Sequence, residues 1–165
     1  METIKILFLA SHWRVSLIKA FQDAKQSMEL ICADSDPLAA SFKEANRFQV
    51  LPLFSDSNCL QSLLEICKAE KVSALVPLTN QAIEFIADHR HELELDGRRL
   101  WIPQNRAIDI CHDKWKLFKF LIDKGFDTPS TFFPGKLEFS FPLIAKPRRG
   151  EGSKDVFVLE NSDDL

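Results

Sequence analysis

Glycine is scarce in this chain: there are five in 165 residues, and none precedes Gly97. A dinucleotide-binding fold needs bare backbone in its first strand-to-helix turn, where the cofactor pyrophosphate approaches the chain. Ser11-His12-Trp13-Arg14 stands there instead, which argues against nicotinamide or flavin binding. Tyrosine is absent beside 14 phenylalanines, and no function follows from that. The four cysteines, Cys32, Cys59, Cys67 and Cys111, include no C-x-x-C pair, and no signal peptide is visible. Reduced, structural thiols in a cytoplasmic protein are the expectation. No apolar run approaches the roughly 20 residues of a membrane span. His12, His89, His91 and His112 show no metal-ligand spacing, and His89 and His91 would point apart on a helix. With 27% charged residues of interspersed sign and a net charge of −3, nothing points to nucleic acid as a partner.

The apolar fraction of 45% suffices for a real core. Ile4 to Ala10 is an apolar run broken only by Lys5, as in a strand buried on both faces. Leu17, Ala20, Phe21 and Ala24 then keep helical spacing. Further strands are expected at 30–33, 48–51, 74–77 and 100–102, with a short helical piece near 38–45. A helix capped around Ser55-Asp56-Ser57 carries Leu60, Leu63, Leu64 and Cys67, and one capped by Asn80 runs to about Leu95 before Gly97. Strand and helix alternate five times, so the fold class is α/β with a mainly parallel, Rossmann-like sheet. Ligands of such sheets collect at the carboxyl ends of the strands, here Ser11, His12, Arg14, Asp34, Asp36, Thr79, Asn80 and Glu84. These read as solvated loop tips first, and otherwise as a substrate surface.

After Pro103 the pattern changes. Asn105 and Asp113 are placed to cap two helices, the second with Leu117, Phe118, Leu121 and Ile122 on its apolar face and Gly125 after it. A strand from Thr128 to Phe133 and a turn at Pro134-Gly135 are expected next. Leu143 to Ala145 reads as a short buried strand ending at Lys146, and Val156 to Leu159 as a second. Between them lie Pro147, Arg148, Arg149, Gly150, Gly152, Ser153 and Lys154. Such a glycine-bearing cationic loop is either a flap whose amides and charges fold over phosphates or an ordinary exposed hairpin. Ser162-Asp-Asp-Leu165 resembles a first helical turn. The expected organisation is one α/β domain at 1–104 and part of a second at 105–165.

The residues Ile110-Cys-His-Asp113-Lys114, followed by Phe141-Pro-Leu-Ile-Ala-Lys146-Pro-Arg-Arg149-Gly-Glu-Gly-Ser-Lys154, resemble the ATP-grasp superfamily, specifically the carbamoyl-phosphate-synthase large-subunit-like type. The resemblance covers the whole chain, with the first domain as a pre-ATP-grasp domain and the second as the amino-terminal part of an ATP-grasp domain. It implies that Lys114 and Lys146 hold the ATP phosphates, Lys146 also lying near the adenine, and that Arg148 to Lys154 closes over the β- and γ-phosphates. It further implies a magnesium-requiring ligase in which a carboxylate takes the γ-phosphoryl group and an amine attacks the acyl phosphate. Small carboxylate and amine substrates follow as partners, and exposed surface around half a cleft leaves room for a homodimer. Asp155 stands where the family commonly has another glycine, and Asn80 where it usually has an acid. The family's adenine-binding hinge and acidic magnesium ligands would lie past position 165, so the chain as given is expected not to catalyse ligation. Rival readings are a non-catalytic α/β binding or regulatory module, and one half of a split enzyme.

Overall fold

The computed structural model describes residues 3–24, 27–133, 135 and 139–164. The chain forms two compact units, Met1–Pro103 and Gln104–Leu165. The first is built on five parallel strands: β1 (Ile4–Leu9), β2 (Met28–Asp34), β3 (Arg47–Val50), β4 (Ala74–Pro77) and β5 (Arg99–Leu100). Their order across the sheet is β3-β2-β1-β4-β5, with Phe8 level with Cys32 on one side and Val76 on the other. Consecutive side chains of a strand face opposite ways, and β1 uses both faces. Leu7 and Leu9 join Ile31, Leu63, Cys67, Leu75 and Ile86 in one buried cluster, while Ile6 and Phe8 join Ile18, Leu30 and Cys32 in the other. The apolar run broken only by Lys5 is the centre of the sheet.

The helices are α1 (Val15–Asp23), α2 (Cys59–Glu70), α3 (Asn80–Asp88) and α4 (Arg90–Glu94), with a 3-10 turn at Ala40–Lys43. Three expectations are corrected here. On α1 the buried residue is Ile18, with Phe21 half-buried beside it, whereas Leu17, Ala20 and Ala24 are exposed. The ring of Phe8 draws that face inward, meeting Phe21 edge-on at 5.1 Å. Thr79, not Asn80, caps α3, its hydroxyl accepting from the Ala82 amide at 3.2 Å. The expected long helix is two helices, because His89 leaves helical backbone at φ −110°, ψ 25°.

Three of the four cysteines, Cys32, Cys59 and Cys67, are buried and unbonded, and Cys111 is exposed. Burial pushes the Cys59 and Cys67 thiols up to about 11. They pack as small apolar groups.

The second unit holds α5 (Asn105–Cys111), α6 (Lys114–Asp123) and an antiparallel pair, β6 (Leu143–Ala145) with β7 (Phe157–Leu159), followed by a 3-10 turn at Ser162–Asp164. Asn105 is the first residue of α5, not its cap. Asp113 caps α6 as expected, and Gly125 follows with φ +73°. Residues 128–133 form no strand, and Pro134 lies outside the described residues. The pair β6–β7 is not buried either, since Ile144, Phe157 and Val158 are each at least 60% exposed. Neither strand of a two-stranded ribbon is flanked on both sides, so its outer face stays open. Among the described residues, no helix is long and apolar enough to cross a membrane.

Candidate functional site

In the second unit the start of α6 and the loop after β6 are tied together. Asp113 is 2% exposed, and its carboxylate does two things. As the helix cap it accepts from the Trp115 and Lys116 amides, both at 3.0 Å. It also takes the Arg148 guanidinium in a fork, with Nε at 2.8 Å and Nη2 at 2.7 Å. The next residue continues the junction: the Lys114 amide donates to the Arg148 carbonyl at 3.0 Å, and its Nζ to the Gly150 carbonyl at 3.1 Å. A cation in the first turn of a helix opposes the helix dipole. Here the ammonium is directed onto a carbonyl.

Arg149 and Lys116 both reach Asp109, at 3.3 and 2.6 Å. By contrast, Lys146 and Lys154 are exposed, and neither side chain makes an ion pair or hydrogen bond among the described residues. The loop itself runs through left-handed backbone at Gly150, Gly152, Ser153 and Asp155, with φ of +142°, +67°, +56° and +55°. Glycine adopts such angles without penalty, whereas Ser and Asp do so at a cost. Asp155 therefore occupies a glycine-type conformation at the position where the resemblance leads one to look for glycine.

The Arg148 guanidinium beside Asp113 holds that carboxyl well below the usual carboxylate range, helped by the Lys116 and Trp115 amides and opposed by burial. A group whose pKa is lowered by folding contributes stability above its unfolded pKa and loses it as pH falls towards the folded value. Urea unfolding measured stepwise from pH 7 down to about pH 2.5 is therefore expected to show stability draining below about pH 4. The Asp113→Asn variant should give a flatter curve, and parallel curves for the two proteins would contradict the assignment.

In the first unit a cleft of about 530 Å³ opens at the carboxyl ends of the strands. Asp34, Phe54, Thr79, Gln81, Glu84 and Phe85 are among its lining residues. Of the expected strand-end residues it gathers Asp34, Thr79 and Glu84, but not Ser11, His12, Arg14, Asp36 or Asn80. The His12 amide donates to Asp34 at 2.9 Å, and its Nδ1 lies 3.5 Å from Asp36. Arg14 is spent on the Leu78 carbonyl at 3.2 Å. Ser11 is fully buried against Ser41 at 2.9 Å. Phe54, Gln81 and Phe85 were not singled out from the sequence, because apolar and amide residues on loop and helix carry no motif. A larger groove, about 940 Å³, lies at the amino ends of the strands near Lys71, Arg99 and Trp101, away from every expected site residue.

Among the described residues, no three His, Cys, Asp or Glu side chains converge to hold a metal ion.

The PylC-like, N-terminal domain family matches residues 6–100, and an ATP-grasp domain matches residues 111–165. A carbamoyl-phosphate synthase from Methanobrevibacter smithii is 28% identical over 171 aligned residues, covering 98% of this chain and 45% of that protein. The chain thus spans less than half the length of that relative. Among solved structures, N5-carboxyaminoimidazole ribonucleotide synthetase from Thermotoga maritima superposes with a TM-score of 0.70 at 19% identity, over 97% of this chain and 42% of that one. The biotin carboxylase domain dimer of Hydrogenobacter thermophilus 2-oxoglutarate carboxylase, bound to MgADP, ADP and bicarbonate, gives 0.70 at 14% identity, over 99% and 39%. At such identities the structural likeness is one of fold.

Proposed function

Because the chain belongs to the PylC-like N-terminal-domain family and continues into an ATP-grasp domain, we propose that it supplies the phosphate grip of an ATP-dependent ligase joining a carboxylate to an amine or other nitrogen nucleophile. The observation that carries this is the junction at the start of α6, where Lys114 holds the Gly150 carbonyl and Asp113 holds Arg148. It secures the base of the loop while leaving Lys146 and Lys154 unspent. In this reading Lys146 and Lys114 neutralise the phosphates of ATP, and Lys114 exchanges the Gly150 carbonyl for a phosphate oxygen. The amides of Gly150, Gly152 and Ser153 face the β- and γ-phosphates, with Arg149 and Lys154 adding charge at the rim. Such a site works by positioning and charge neutralisation.

The reaction is two displacements. A carboxylate oxygen attacks the γ-phosphorus and the bond to the bridging oxygen breaks, leaving ADP and an acyl phosphate. A nitrogen nucleophile then attacks the acyl carbon and phosphate departs with its electron pair. Magnesium, the usual companion of ATP, belongs in this reading to residues outside this chain. Small soluble substrates, a cytoplasmic setting and a homodimer complete it, along with substrate contacts from Asp34 and Glu84 in the strand-end cleft. Turnover is assigned to a longer whole, and these 165 residues bind nucleotide without ligating. Calorimetric titration with ATP, with and without magnesium, is expected to show saturable binding and no steady phosphate release. Absence of binding sinks the phosphate-grip reading, and steady release at ordinary enzyme rates sinks the inactivity of the chain. One observation favours a plain binding module instead: the strand-end cleft is built within the first unit alone. A ligand that binds undisturbed by Lys146→Ala would favour that alternative.

A further inference from the structure

Resting on the phosphate-grip reading, we propose that Asp113 and Arg148 form a latch that sets the loop 148–150 in its nucleotide-ready position, with Arg148 acting as a positioning residue and not as a phosphate ligand.

The argument starts from what each group has already spent. Asp113 is buried, and both its oxygens are engaged, Oδ1 by Arg148 Nε and the two helix amides and Oδ2 by Arg148 Nε and Nη2. A bidentate fork fixes the guanidinium in plane as well as in distance. The same guanidinium carbon lies 5.9 Å from the centre of the Phe133 ring, so one face of the group is covered as well. For Arg148 to swing onto a phosphate it would have to leave a buried carboxylate with no cation and only its two helix amides. That costs more than one charge-assisted contact to a phosphate returns.

The latch also acts on the backbone. Residues 113 and 148 are 35 apart in sequence, and beside their side-chain fork the Lys114 amide holds the Arg148 carbonyl. With the side chain and the carbonyl of one residue both fixed, its peptide plane has little freedom. The Gly150 carbonyl, two peptide planes on, is met by Lys114 Nζ only until nucleotide takes that ammonium, so the fork and the Lys114 amide carry the placement. Lys146, two residues before the latch, and the left-handed turn after it are thereby placed by a contact that never touches nucleotide.

Serine at an N-cap satisfies helix amides about as well as aspartate, so Asp113→Ser keeps the cap and removes the latch. ATP affinity of Asp113→Ser and of Arg148→Ala is expected to fall about tenfold or more, the scale of a lost charge-assisted fork. The double variant should be no worse than either single one, and Arg148→Lys should fail to rescue because an ammonium cannot make the fork. A purely structural role would move the melting temperature of these variants without moving their affinity. Lys146→Ala is titrated alongside. If wild type binds ATP, Lys146→Ala loses it and both latch variants bind within about twofold of wild type, the latch is refuted and the phosphate grip stands. If wild type does not bind, or Lys146→Ala binds as well as wild type, both readings fall together.

Discussion

Replacing Lys146 by alanine is expected to weaken ATP binding by about 10- to 100-fold, the equivalent of one charge-assisted contact to phosphate, while leaving the melting temperature where it was. The reasoning is that this side chain does nothing for the fold. It stands one residue beyond β6, exposed, with no ion pair or hydrogen bond among the described residues. Holding an unpaired ammonium beside the other cations of this loop costs a little, so its removal leaves the protein no less stable. In the proposed reading, a charge that makes no local contact yet sits at a defined strand end before a proline serves a ligand that arrives from outside. Calorimetry at fixed ionic strength is the check, since salt screens exposed charges. An unchanged affinity would remove Lys146 from the site, and a collapsed melting temperature would show that its role is structural.

Phe8→Ala is expected to cost about 3–5 kcal/mol of stability, a large share of the roughly 5–15 kcal/mol that holds a domain together. Phe8 is fully buried near the carboxyl end of β1, hydrogen-bonded through its strand to β2 and β4. Its ring meets Phe21 edge-on at 5.1 Å and shares a cluster with Ile18 and Leu30. The alanine would leave a void between sheet and helix that neither side can close, because β1 is fixed from both flanks. Phe21→Ala, at a half-buried position, should cost clearly less. Urea midpoints at an unchanged slope decide this, and a Phe8→Ala shift of under about 1 kcal/mol would mean that the site collapses around the smaller residue.

Much of this was readable in advance where one physical signal dominates. The apolar run Ile4–Leu9, broken only by Lys5, dictated the central strand, because a strand covered on both faces accommodates it. Asp113 could be recognised as a cap from its place before Lys114-Trp-Lys. What the sequence did not reveal was its second role, because Arg148 lies 35 residues away and no local rule links the two. The buried face of α1 was misjudged for a related reason. Leu17, Ala20 and Phe21 keep helical spacing as well as Ile18 does, and the choice between the two faces is made by Phe8 in another element. The exposure of β6 was likewise invisible, since an apolar triplet looks the same whether or not anything covers it.

The strand order has a consequence for how the chain assembles as it is made. β1 is the middle strand of its sheet, yet one of its two neighbours, β4, follows only some 68 residues later, as the Lys5 amide meeting the Ser73 hydroxyl shows. During synthesis β1 and β2 can pair early, but the other edge of β1 stays open, with apolar side chains on both faces, until β4 has emerged. A sheet closed by such distant pairing folds slowly and passes through an aggregation-exposed stage. Changes in Ala74–Pro77 should therefore lower the yield of folded protein in cells more than they lower the stability of whatever protein is recovered.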